Sequence, residues 1–156
     1  MQLAPLVRLG SVLGLACLLG ACASLWRHSQ GDRRHLNLAG RSDSLPFSHG
    51  VLAGDTYYVA GTLGIDPATK LPPADVEQEI RLMLDDVQAK LALAGMTMDD
   101  LVSVQVFCPD LALYDTFNRI YASTFTRDFP ARAFIGSGPL LHGGHFQFQG
   151  IAVKSA

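Results

Sequence analysis

Residues 74–94 constrain the fold of this chain more than any other segment. Val76, Ile80, Leu84, Val87, Leu91 and Ala94 recur with a 3.6-residue period, so a helix gathers them on one face. Asp75 stands where an N-cap carboxylate accepts a backbone N–H. Glu77 and Glu79 suit the positive end of the helix dipole, and Gly95 stops the run. Such a helix is marginal until another element covers its apolar face. The cover must come from the segments around it, which read as strands.

Gly54-Asp55 between apolar residues predicts a hairpin, and 56–62, rich in Tyr, Val and Thr, is its second strand. Residues 63–73 form a loop in which Asp66-Pro67 favours a turn. In 101–108, Leu101, Ser103, Gln105 and Cys108 oppose Val102, Val104, Val106 and Phe107 in a strand that stops at Pro109. A second helix over 112–125 puts Leu113, Phe117, Ile120, Tyr121 and Thr124 on one side. Strands over 132–136 and 145–153 follow, joined by a Gly-rich connection. The order β-β-α-β-α-β-β predicts an α+β domain with two helices on one face of a mainly antiparallel sheet.

The first 22 residues stand outside that domain. Arg8 precedes an apolar run from Leu9 to Leu19, too short for a comfortable membrane span and matched to a secretory signal. The run ends in Leu19-Gly20-Ala21-Cys22, which resembles the lipobox of bacterial lipoproteins, with Cys22 as the lipidated N-terminus. Residues 1–21 are thus expected to be a signal peptide, 22–44 a polar tether after the lipid, and 45–156 the domain. This places the protein at the cell envelope, held to a membrane by its lipid, or in the cytoplasm if the signal is not used. Cys17 leaves with the signal and Cys22 carries lipid. Cys108 alone remains, which excludes an intramolecular disulfide. Loss of residues 1–21 removes Arg8 and no acid, taking the net charge from −2 to −3. With basic residues scattered outside 27–34, the chain has no footprint for nucleic acid.

One charge stands apart. Between Asp128 and Lys154 the only fixed charge is Arg132. A guanidinium cannot be neutralised at ordinary pH and is rarely buried without a partner. Arg132 therefore points to water, pairs with an acid from another segment, or receives an anionic ligand in its bidentate fork.

Other candidates carry less. His142 and His145 have no Cys or acid nearby in sequence, short of the three or four ligands zinc requires. They read as loop histidines, with a proton-shuttle role as the functional alternative. Cys108, ending an apolar strand, reads as packing. Gly136-Ser137-Gly138-Pro139 precedes no helix and is not a phosphate loop. Asp85-Asp86 and Asp99-Asp100 are neighbours that diverge on a helix and read as solvated surface.

The strings LPFSHGV, YYVAGTLGIDP, AGMTMDDLVSVQVF, FNRIYASTF, FPARA and FQFQGIAV, in this order and spacing, resemble the RidA family, also called YjgF/YER057c/UK114. The resemblance covers 45–154. It implies a chorismate-mutase-like (RidA-type) α+β fold and a homotrimer with pockets between subunits. It also implies hydrolysis of 2-imino acids to 2-oxo acids and ammonia without cofactor or metal. The family's carboxylate-binding arginine matches Arg132, an asparagine of the second helix matches Asn118, and a glycine of the early strand matches Gly61. Phe47, Ala60, Phe134 and Gln149 are expected to line the same pocket. The chain departs from the pattern at the chemistry. The catalytic glutamate falls on Gln147 and a second carboxylate on Gln149, both on one strand face. The usual serine is Ala60 and the usual tyrosine is Phe47. A carboxylate accepts a proton from water, whereas an amide only holds the water. The resemblance thus implies binding of small carboxylates, with weak or altered imine or enamine deaminase activity. The alternative is a non-catalytic small-molecule-binding trimer at the envelope.

Overall fold

The computed structural model describes residues 33–40 and 44–154. The signal, Cys22 and most of the tether lie outside the described residues. Six strands and two α-helices follow one another: β1 (Arg33–Leu36), β2 (Gly50–Ala53), β3 (Thr56–Leu63), α1 (Val76–Leu93), β4 (Leu101–Cys108), α2 (Tyr114–Ala122), β5 (Ala131–Gly136) and β6 (Gln147–Val153). The strands form one sheet in the order β1-β2-β3-β6-β4-β5. Every pairing is antiparallel except β4 with β5, which α2 joins as a crossover. The α+β class and the mainly antiparallel sheet agree with the sequence reading.

α1 is the helix that the periodicity demands. The Asp75 carboxylate accepts the Glu77 N–H at 2.9 Å. At the other end Gly95 adopts φ +70°, its N–H reaches the Ala92 carbonyl at 3.0 Å, and Met96 N–H reaches Leu91. This double closure is a Schellman stop, and its left-handed residue favours glycine. Ile80, Met83, Leu84, Val87 and Leu91 are buried against Tyr57, Val59, Val104, Val106, Phe148 and Ala152 of the sheet. α2 shares that face, with the Phe117 ring 5.4 Å from Phe134 in an edge-on contact and 5.1 Å from Phe146 in a tilted one.

Four local readings are corrected. The segment read as tether contributes a strand: Arg33–Leu36 pairs with Ala53 back to Gly50, and its Arg, Arg and His make a charged sheet edge. Its pattern carries no apolar alternation because it is an exposed edge strand. Alternation along β4 breaks at Val102. That residue is an extra one opposite β6, so Leu101 and Val104 are buried while Val102 and Ser103 face out. Cys108 therefore shares the buried face with Val104 and Val106. The second helix is shorter than 112–125, beginning as a 3-10 turn at Leu111–Leu113 and ending where the Ser123 and Thr124 hydroxyls bond back to Ile120 and Tyr121. β6 begins at Gln147 and not at 145, because the His145 and Phe146 amides donate to the Glu79 carboxylate.

The sheet also carries a bulge that positions the expected site. Val59 pairs with Gly150 and Thr62 with Phe148, so Ala60 and Gly61 together oppose one residue of β6.

Candidate functional site

Arg132 lies on β5 in register with Val104, on the helix-covered face of the sheet. It is half-buried, and its guanidinium is walled by aromatic rings. The carbon at its centre lies 4.6 Å from the Tyr121 ring, 5.6 Å from Phe117, and 5.9 Å from both Tyr114 and Phe134. Such contacts contribute roughly 0.5–2 kcal/mol each and do not cancel the charge. One Nη donates to the Asn118 Oδ1 at 2.5 Å. Among the described residues Arg132 forms no ion pair. Of the three fates open to it in sequence, pairing with a distant acid is thus excluded among those residues. Its surroundings form a cleft of about 360 Å³ lined by Asn118, Tyr121, Ala122, Phe129, Pro130 and Arg132. Burial pushes the Tyr121 phenol up to about 12, against the opposing pull of Arg132.

The remaining expected residues form a second group. Phe47, His49, Gly61, Thr62 and Leu63 line a cleft of about 250 Å³ with Asp86 and Lys90 of α1. At the bulge, a side chain on Gly61 would begin 3.0 Å from the Gln147 Nε2. Glycine is what admits that close approach of Gln147. Ala60 is half-buried and adds no polar group. Gln149 is exposed in a shallow groove with Ser103, Gln105, Gly150 and Ile151.

The two groups do not meet within one chain. Gln147 and Gln149 alternate with buried Phe148 and Gly150, which pair with the face that carries Arg132 and Phe134. The amides therefore project from the opposite face. β3 and β5 are three strand steps apart, about 14 Å at ~4.8 Å per step. Arg132, Asn118 and Phe134 thus form one group, and Phe47, Gly61 and Gln147 form another.

Three features escaped the sequence reading. Lys90 is 4% exposed, with its Nζ 2.7 Å from Asp86 and 2.8 Å from the Thr62 hydroxyl. Asp86 is therefore a partner and not simply solvated surface. Asp99 likewise accepts from the Thr126 amide and hydroxyl, and those bonds hold its carboxyl below the usual range. Asp100 closes a capping box with Thr97. Glu79 is fully buried and holds His145, so His145 is anchored and not a free loop histidine. A Lys or Glu flanked by apolar residues on the buried side of an amphipathic helix is the signal that could have found these. Cys108 is buried as expected, and burial raises its thiol. Among the described residues no cluster of three or more His, Cys, Asp or Glu could hold a metal.

Comparison with known proteins completes the description. The family model described as "Endoribonuclease L-PSP" matches residues 42–154. The 2-iminobutanoate/2-iminopropanoate deaminase of Bos taurus is 34% identical over 70% of this chain and 80% of its own length. The crystal structure of the YjgF gene product of E. coli, 29% identical, superposes with a TM-score of 0.72 over 78% of this chain and 99% of its own. That of E. coli TdcF with bound serine, also 29% identical, gives 0.68 over 78% and 94%.

Proposed function

This chain belongs to the endoribonuclease L-PSP family, the RidA/YjgF proteins, and from that premise we propose that it binds small 2-imino or 2-oxo carboxylates through Arg132 and hydrolyses the imines slowly. One observation carries the reading: a half-buried guanidinium, ringed by aromatics, whose side-chain hydrogen bond goes to a neutral amide and which makes no ion pair among the described residues. Its charge stays available for a ligand carboxylate, held by two parallel N–H···O bonds. Kinship with a deaminase of 2-iminobutanoate supports the substrate class.

The two half-sites support a homotrimer in which Arg132 and Asn118 of one copy meet Gly61 and Gln147 of the next. Gln147 orients the water that attacks the imine carbon. Phe47, Ala60, Phe134 and Gln149 shape the cleft. Orientation alone supplies part of the acceleration, and the missing carboxylate accounts for a slow rate. A second reading has a specific observation in its favour. Gln147, Gln149 and Ala60 bring neither a carboxylate nor a hydroxyl to the bulge, which suits a carboxylate-binding trimer without turnover. No cofactor enters either reading. We further propose that Cys22 is lipidated and anchors the domain at the envelope; a radiolabelled fatty acid should label the wild-type chain and spare Cys22→Ser.

The deciding assay uses residues 33–156. An amino-acid oxidase generates 2-iminobutanoate, semicarbazide traps it, and the protein competes by hydrolysis. Turnover lost in Arg132→Ala supports the enzyme. Binding of 2-oxobutanoate with no turnover selects the second reading. Neither binding nor turnover overturns both.

A further inference from the structure

Glu79 and His145 form an arrangement that carboxylate binding does not use. Glu79, fully buried on α1, accepts from the His145 N–H at 2.7 Å and the Phe146 N–H at 3.1 Å through one oxygen. Its other oxygen lies 2.6 Å from the His145 Nδ1. A carboxylate offers only acceptor sites, so Nδ1 donates its proton to Glu79, and in the neutral ring Nε2 keeps its lone pair. The imidazole is 41% exposed and borders a cleft of about 230 Å³ with Pro109, Asp110, Pro139 and Leu140. A buried carboxylate behind an imidazole and solvent before it fix the tautomer and stabilise the imidazolium once it forms. His145 precedes Gln147 by two residues. Leu63, the β3 partner of Gln147, packs so closely on Gly144 that a side chain there would begin 2.8 Å from its Cδ2. Gly144 of the His145 cleft thus touches Leu63 of the Gly61 cleft, and the two clefts adjoin at the start of β6.

We propose that His145 supplies the proton acceptor that Gln147 cannot, with Glu79 as its positioning residue. This rests on the imine-hydrolase reading. As water oxygen bonds to the carbon of a protonated imine, one water proton passes to Nε2 and the C=N π pair moves onto nitrogen. The imidazolium returns that proton to the amine. The C–N bond then breaks with its pair leaving on ammonia, and as C=O forms the hydroxyl proton passes to the freed Nε2 and from there to ammonia, which leaves as ammonium. Among the described residues, Glu79 from α1 faces the His145 ring and Asp110 from the end of β4 borders its cleft; the buried Cys108 thiol lies in the field of both acids, and His142 stands three residues earlier in the same loop.

The test is the pH profile of kcat/KM for 2-iminobutanoate. Wild type should lose activity on acidification along a one-proton limb. His145→Gln should lower kcat about 100-fold, leave KM unchanged and abolish the limb. Glu79→Gln, where folded by circular dichroism, should lower kcat and leave KM unchanged, because the imidazole loses the carboxylate that fixes its tautomer. Removing the His145 ring leaves both backbone bonds to Glu79 in place, so that variant should fold. An active wild type with rate and limb unchanged in His145→Gln overturns this inference alone. A wild type that binds 2-oxobutanoate without turnover overturns the hydrolase reading and this inference with it.

Discussion

A single unneutralised charge decides what Arg132 can do. Arg132→Ala should abolish 2-oxobutanoate binding measured by calorimetry, whereas Arg132→Lys should retain a weak remnant, because an ammonium keeps the charge and loses the planar fork. Gln147→Glu should raise imine turnover, since it adds a second proton acceptor at the amide's position beside the water; an unchanged rate would remove Gln147 from the water site. Glu79 matters to stability as well as chemistry. Glu79→Leu strands the buried Phe146 N–H, the half-buried His145 N–H and the Nδ1–H, so urea unfolding should show a loss of about 3 kcal/mol. Arg132 was legible in sequence because it is alone in a long uncharged stretch. Glu79 was not, because its acceptor role depends on two amides 66 and 67 residues away.

At the scale of elements, α1 was nearly complete in the sequence. Its period, N-cap and glycine stop are local properties, and each is in place. Asp75→Ala should cost about 1 kcal/mol through the lost cap, and Gly95→Ala about as much through the left-handed backbone it must adopt, both read as midpoint shifts in urea. Strands were less legible. The bulges at Ala60-Gly61 and Val102 shift one strand against β6, and nothing within the bulged segment announces the partner's register. β1 left no apolar signature because an edge strand needs none. The late start of β6 follows from α1 taking its first amides.

The whole molecule packs two phenols where no partner reaches them. Tyr57 and Tyr121 are buried with hydroxyls that find no hydrogen-bond partner among the described residues, and burial pushes both up to about 12. A phenol whose proton is held more tightly in the folded state than at its ordinary value of 10.0 stabilises the fold fully below pH 10. That contribution is lost as pH rises from 10 towards 12. Stability measured by urea should therefore fall over that window. Tyr57→Phe should flatten the fall, since a phenyl ring has no proton to lose. Assembly belongs to this scale too. Light scattering should give three times the protomer mass, and a monomer that still hydrolyses imines would break the argument that two half-sites must meet.

Sequence by itself determined the class of fold, the family and the lone cation. Periodicity, caps and local composition are encoded within a few residues, and the order of motifs is a linear property. Tertiary structure decided which residues share a face. A one-residue bulge reverses the side on which every later residue of a strand emerges. It divided the expected site into an Arg132 half and a Gln147 half on opposite faces, buried Lys90 beside Thr62, and set Glu79 behind His145. Each of these contacts joins segments far apart in the chain, and the chain closes them only when α1 packs on the sheet.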